Sequence, residues 1–418
     1  MFERNQVKIL ASRLNEPVHR LIVVTGPRQT GKTTLVLQSL KRARSRSEYR
    51  YIPLDEPVPP SPILSLPDSE TVSPGDATKR NSVWLAEQWE KARREADDSE
   101  RGFVLVLDEI QKIPQWSETV KGLWDADRAA KLPLHVVLLG SAPLLMQRGL
   151  TESLAGRFEL IRTTHWSFLE MHRAFDLDLS GYVYFGGYPG AAPLIPQPIR
   201  WTDYVRSALI EPNIEKDILM MTRVDKPALL KQLFELGCSY SGQILSYTKM
   251  LGLLQDAGNT TTLSHYLHLL TNAGLLTGLQ KFASQHYRRR ASSPKLNVLN
   301  TALMAIASGY TFDQARADRT YWGRLVESAV GAHLYNTGTP DIRLYYWRDS
   351  PYEVDFIIER GDMRVAIEVT STARDAHQRG LAAFQDRFHP HRTILVGDRG
   401  RPLDEFLSST PDEWFDST

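Results

Sequence analysis

The sequence is short of several things, and each shortage excludes a class of protein. It holds one cysteine, Cys238, among 418 residues. An intramolecular disulfide, a cysteine zinc finger and a cysteine-held iron–sulfur cluster are therefore ruled out, and a reducing, cytoplasmic setting is expected. No window approaches the ~18 consecutive apolar residues that a membrane span requires, and Met1 to Leu10 carries charge without an apolar stretch. Neither membrane insertion nor secretion is expected. Net charge is nearly absent as well: 50 Lys and Arg face 49 Asp and Glu, a formal +1, so any nucleic-acid contact must use a local patch. Lysine is missing altogether after Lys295. Residues 311–418 carry 13 Arg against 12 Asp and 6 Glu, a net −5 that does not favour a polyanion over that stretch as a whole.

What is present is ordinary for a folded chain: 42% hydrophobic and 24% charged residues. At roughly 100–200 residues per domain the length accommodates two to four domains. The first part reads as a β-branched apolar strand from Leu21 to Val24, a Gly-bearing turn, and an apolar-periodic helix from near Lys32. A strand follows at Tyr49 to Leu54. Prolines then crowd residues 53–74, which excludes a helix or central strand and predicts a surface insertion before a helix over Val83 to Ala96. Phe103 to Leu107 and Leu134 to Leu139 are unbroken apolar runs, the pattern of parallel strands covered on both faces. Residues 1–172 are thus expected to form a doubly wound α/β domain of the P-loop type. Residues 173–225 read as a helical lid or linker. Residues 226–310 read as a winged helix-turn-helix with a strand-like wing at Leu275 to Phe282. Residues 311–418 read as a smaller α/β domain with strands at Ile342 to Trp347, Val354 to Glu359, Arg364 to Val369 and Thr393 to Val396.

The strongest motif is Gly26-Pro27-Arg28-Gln29-Thr30-Gly31-Lys32-Thr33, followed by Thr34 and placed between a strand and a helix. Two glycines let the backbone curl so that successive N–H groups and a helix N-terminus face phosphate oxygens. Lys32 supplies positive charge toward the β and γ phosphates of ATP, and Thr33 a hydroxyl ligand for Mg2+. The alternative is a Gly-rich turn with no ligand. Asp108 and Glu109 close the apolar run Phe103 to Leu107; there Asp108 is the metal-side acid and Glu109 the water-activating one, or the pair merely caps a helix. Ser141, past the next strand, either hydrogen-bonds the γ-phosphate or attacking water, or caps a helix before Pro143. Arg157 either reaches a neighbouring subunit's γ-phosphate or pairs with Glu152 or Glu159 on its own surface.

These residues carry a resemblance. The loop Gly26 to Thr33, L-D-E-I-Q at Leu107 to Gln111, L-L-G-S at Leu138 to Ser141 and S-L-A-G-R-F at Ser153 to Phe158 resemble prokaryotic AAA+ ATPases that carry a restriction-endonuclease-like domain at the C-terminus. The resemblance spans nearly the whole chain. It implies, in turn, the nucleotide loop, the metal and hydrolysis acids, the first sensor and a trans-acting arginine, Arg157, working in a ring-shaped oligomer such as a hexamer.

Two further regions invite chemistry. Lys281, Arg288, Arg289, Arg290 and Lys295 lie at the expected wing with no acid between them, a patch that could neutralise DNA phosphates or stand as a solvated face. In the C-terminal domain, Glu327 on a helix and Asp355 and Glu368 on strands resemble the PD-(D/E)XK nuclease core, where three carboxylates gather Mg2+. Thr370 stands where that core places its lysine, and with no lysine after Lys295 none is expected to substitute. Arg374 or Gln378 could take the place, although Arg never deprotonates. Three functions remain open: an ATP-driven DNA motor or switch with a degraded nuclease fold, an ATP-gated DNA nuclease, and a nucleotide-switched interaction protein that uses no nucleic acid.

Overall fold

A computed structural model describes residues 2–43, 48–54, 80–99, 102–140, 150, 153–219, 224–256, 258–283, 292–370 and 375–416. The chain divides into two compact units, Met1–Thr163 and Thr164–Thr418.

In the first unit the elements run α1 (Asn5–Leu14), β1 (Leu21–Thr25), α2 (Lys32–Arg42), β2 (Glu48–Pro53), α3 (Ser82–Asp98), β3 (Phe103–Asp108), α4 (Trp116–Ala130), β4 (Leu134–Gly140) and β5 (Phe158–Arg162). The sheet is parallel throughout, in the order β2-β3-β4-β1-β5. Strands β1, β3 and β4 are buried at every position. Alternate residues feed two cores: Leu21, Val23, Leu105 and Leu138 pack with Trp89 and Trp124 on one face, and Ile22, Val24, Val106 and Leu139 pack with Leu10 and Leu35 on the other. Helices on both faces leave no polar side, which is why these strands read as unbroken apolar runs. The chain leaves β1 for the far edge and returns to fill the gap with β3 and β4. The C-terminal ends of β1, β4 and β3 therefore stand in a row, where open α/β sheets bind ligands. Most of the proline-rich insertion expected at 53–74 lies outside the described residues.

The second unit begins with helices α5 (Phe168–Phe175), α6 (Leu179–Phe185) and α7 (Pro198–Tyr204), the last continuing in wider π-type turns over Val205–Ile210 and Asn213–Leu219. Then come α8 (Pro227–Ser239), α9 (Tyr247–Leu253), α10 (Thr260–Asn272), β6 (Leu276–Lys281), β7 (Lys295–Val298), α11 (Thr301–Ser308), α12 (Phe312–Ala317), α13 (Arg319–Thr337), β8 (Arg343–Asp349), β9 (Tyr352–Arg360), β10 (Met363–Val369), α14 (Asp375–Phe388), β11 (Arg392–Val396) and α15 (Leu403–Ser408). Six strands form one mixed sheet, β11-β10-β9-β8-β6-β7.

That sheet takes strands from both sides of the boundary expected at 310/311. Strand β6, expected as the wing at Leu275 to Phe282, joins β8 through Gln280 opposite Tyr345 and Lys281 opposite Tyr346, and β7, for which no strand is expected, pairs with its other edge. Phe282, just past β6, packs with Tyr345, Trp347 and Phe384. Local pattern marks a hairpin but carries no sign of the distant strand that will extend it.

Candidate functional site

The first candidate site forms where β1 opens into α2. Gly31 takes φ +84°, a left-handed conformation that glycine adopts without penalty, at the N-cap of α2. Gly26 has a different reason to be glycine: a Cβ there would sit 2.0 Å from the carbonyl oxygen of Thr163. The loop is braced from inside, since the Thr30 hydroxyl donates to the Pro27 carbonyl at 3.0 Å and lies 2.9 Å from the Thr163 hydroxyl. Lys32, the first residue of α2, turns its ammonium inward and donates to the carbonyls of Gly26 and Pro27 at 2.9 and 2.8 Å.

The acids arrive from β3. Asp108, 7% exposed, accepts a hydrogen bond from the Thr33 hydroxyl at 2.9 Å and another from the Tyr51 hydroxyl on the same oxygen, Oδ2. Burial pushes the Asp108 carboxyl above its ordinary range, opposed by these two hydrogen bonds. A divalent cation at this point would reverse that logic, because positive charge favours the ionised acid. Glu109 follows at φ +58°, a conformation uncommon for a residue with a side chain, and Gln111 donates to its carboxylate. The left-handed bend at Glu109 ends β3 at Asp108. A glycine at 26 that a Cβ would obstruct, a left-handed glycine at 31, an inward lysine, and a hydroxyl touching a strand-end acid are chemically suited to a Mg2+-bound nucleotide.

The sequence marks no role for Tyr51, and Gln111 enters it only as the end of L-D-E-I-Q, without its contact to Glu109. Tyr51 becomes visible only through register, since β2 pairs with β3 so that Pro53 faces Asp108. Ser141 lies outside the described residues. Arg157 does not pair with Glu159, which instead meets Arg13 at 2.9 Å. It forms a two-pronged contact with Asp125 on α4, at 2.8 and 2.9 Å. Hydrogen bonding to Arg157 lowers the Asp125 carboxyl, and the same bond raises the guanidinium.

The second candidate site, in the other unit, overturns two expectations. Lys295 is no exposed wing residue: it is 1% exposed. Its ammonium stands 2.8 Å from Asp355 Oδ1, 2.6 Å from Glu327 Oε1 and 3.8 Å from Glu353 Oε1, with the Phe356 ring centroid at 5.1 Å. So a lysine does enter the carboxylate cluster, from β7 rather than from the segment after Glu368. Burial alone disfavours the ammonium, but Asp355, Glu327 and Glu353 together hold its pKa above the ordinary lysine value. Burial pushes Glu327 up to about 7, with Asp355 adding to the push and Lys295 opposing it.

The antiparallel register of β9 and β10, with Phe356 opposite Ile367, brings Asp355 and Glu368 side by side. Their oxygens are engaged by the backbone: Asp355 N–H donates to Glu368 Oε2 at 3.1 Å, and Val369 N–H to Asp355 Oδ2 at 3.0 Å. Among the described residues no group of three or more His, Cys, Asp or Glu side chains is arranged to hold a metal ion. The Mg2+ expected at Glu327, Asp355 and Glu368 does not fit this donor set. Thr370 is buried beside the cluster, Arg374 lies outside the described residues, and so do Arg288, Arg289 and Arg290. Lys281, at the end of β6, is half-buried. No helix among the described residues is long and apolar enough to cross a membrane.

Comparisons with known proteins also separate the first part of the chain from the rest, and split the remainder between residues 314 and 322. Residues 18–172 match the family model of an AAA domain, and residues 176–314 and 322–408 match two families described as domains of unknown function, DUF8612 and DUF4143. The uncharacterized proteins Rv2008c of Mycobacterium tuberculosis and Mb2031c of Mycobacterium bovis are each 26% identical over 408 residues, covering 96% of this chain and 82% of theirs. Among solved structures, similarity is found to Aeropyrum pernix Orc1 in complex with DNA, at 12% identity, 75% of this chain, 92% of that one and TM-score 0.30. It is found as well to Aquifex aeolicus DnaA bound to AMPPCP, at 13% identity, 65% of this chain, 89% of that one and TM-score 0.31. The glycine loop, the strand-end acids and the family match together make residues 18–172 a nucleotide-binding domain of the AAA ATPase type.

Proposed function

We propose that the chain is a Mg2+-dependent, ATP-hydrolysing AAA+ protein that engages DNA as a motor or switch and carries a nuclease-like C-terminal sheet that does not cut. The single observation behind the ATP reading is the Thr33–Asp108 contact beside a glycine loop whose lysine faces inward. In this reading the backbone N–H groups of Gly26 and of Arg28 to Thr34, with the N-terminus of α2, receive the phosphates. Lys32 exchanges loop carbonyls for phosphate oxygens, Thr33 and Asp108 hold Mg2+, and Glu109, steadied by Gln111, orients the attacking water. Mg2+, when bound, neutralises charge on the β and γ phosphates. Ser141 contacts the γ-phosphate, and Arg157 leaves Asp125 for a neighbouring subunit's nucleotide in a ring, a hexamer by analogy with AAA+ assemblies. The pair is exposed and screened by water, so Asp125 opposes that exchange weakly.

The DNA part rests on Lys281 and the run Arg288, Arg289, Arg290, from which burial removes Lys295. A second reading, a nucleotide-switched interaction protein without nucleic acid, is favoured by the net −5 of residues 311–418. Phosphate release with and without duplex DNA separates the two. Glu109→Gln is expected to keep nucleotide binding and to lose turnover by about 10²–10⁴-fold, and Ala at the three arginines is expected to abolish stimulation by DNA. Equal turnover of Glu109→Gln and wild type removes the assignment of the base. No DNA binding even at low ionic strength leaves the interaction protein standing.

A further inference from the structure

We propose that Lys295 is the resident cation of the C-terminal carboxylate cluster, standing where a nuclease of similar sheet would hold a divalent ion, and that the cluster is a metal-independent lock joining β7, α13 and β9. The proposal is independent of the ATP reading, since every residue in it belongs to the second unit.

Three observations carry it. The ammonium is within 2.6–2.8 Å of carboxylates from two different elements, Glu327 of α13 and Asp355 of β9, with Glu353 of β9 at 3.8 Å. Four of the oxygens that a metal would need are already engaged, Asp355 Oδ2 and Glu368 Oε2 by the backbone N–H groups of Val369 and Asp355, and Asp355 Oδ1 and Glu327 Oε1 by the ammonium. The ammonium is shielded: Lys295, Glu368 and Asp355 are 1%, 3% and 8% exposed and the Phe356 ring faces it, while the Glu327 and Glu353 side chains, 20% and 37% exposed, form the side toward solvent. Gly242, at φ +81°, lets the turn after α8 pass close over the Glu327 carboxylate, where a Cβ would meet its atoms at 3.4 Å. Taking an ammonium and carboxylates out of water is costly for each alone and tolerable only together. The group that makes the acids tolerable is therefore covalently part of the chain, and no ion has to be recruited from solution.

Full-length, nucleotide-free protein carrying Asp108→Asn, which disables the acid of the nucleotide site, is titrated with Mn2+ and followed by electron paramagnetic resonance. No saturable site in the micromolar range is expected. A stoichiometric site that disappears when Asp355→Asn is added overturns the proposal, whatever the ATP site does. Lys295→Gln in the same background removes the resident cation. One Mn2+ per chain is then expected to bind, with a metal-dependent rise in Tm that the parent does not show. A soluble Lys295→Gln protein melting at the parent's temperature without metal also overturns it. If that variant fails to fold, the Mn2+ titration of the parent decides by itself.

Discussion

Lys32 and Lys295 are both buried, at 7% and 1% exposure, and both ammonium groups sit against oxygen. Lys32 meets the neutral carbonyls of Gly26 and Pro27. Lys295 meets the carboxylates of Asp355 and Glu327. An ammonium among neutral dipoles keeps its full charge for an incoming anion, whereas one between carboxylates is already balanced and has little left to offer a phosphate. Burial and residue type are the same in the two places. What separates a candidate ligand site from a structural lock is the formal charge of the surrounding oxygens.

The comparison breaks most visibly at Lys295. Replacing it with Met leaves buried carboxylates without their partner, which costs about 3–5 kcal/mol of stability, while nucleotide affinity is expected to stay at the wild-type value. Urea denaturation alongside a fluorescent-nucleotide titration reads both. A variant as stable as wild type would mean the two lysines differ less than their partners suggest.

Acid sharpens the contrast from another side. His333 is buried, its Nε2 lies 2.9 Å from the Ser409 carbonyl oxygen, and its Nδ1 has no hydrogen-bond partner among the described residues. Burial pushes its pKa down to about 4. With the folded pKa below the unfolded one of about 6.5, this stability is complete above pH ~6.5 and is lost as pH falls through the folded value, by up to about 3 kcal/mol. Denaturation near pH ~7 and near pH ~4 is expected to show a steeper loss in wild type than in His333→Gln.

The smallest expected change is at Lys32. Its removal deletes a charge-assisted hydrogen bond of about 1.5–3 kcal/mol, hence roughly 10- to 100-fold of nucleotide affinity. Stability of the second unit is expected to be unchanged, and isothermal titration with an ATP analogue and Mg2+ measures the loss.

Much of the first unit was legible before any coordinates. The unbroken apolar runs of β1, β3 and β4 reported a two-sided burial that only a covered parallel sheet provides, and the glycine spacing named its loop. The partners that refine the site were not legible. Tyr51 reaches Asp108 through strand register, Gln111 reaches Glu109 through a left-handed backbone bend, and Arg157 finds Asp125 across the surface of α4 rather than Glu159. In the second unit β6 and β8 to β11 lie close to the strands the sequence predicts, whereas β7 has no counterpart there and Lys295, its first residue, reads as part of a basic patch. Its neighbours in sequence, Pro294 and Leu296, carry no information about Glu327 or Asp355.

The sequence by itself determined the phosphate loop and the order of strands and helices, because those depend on residues within a few positions of one another, through backbone freedom and apolar periodicity. Only the tertiary structure decided what each charge does. A lysine's role depends on which oxygens surround it, and folding brings those oxygens from 32 and 60 residues away at Lys295, but from within six at Lys32. Coulomb interactions are set by distance in space and by desolvation, and neither is written in the distance along the chain.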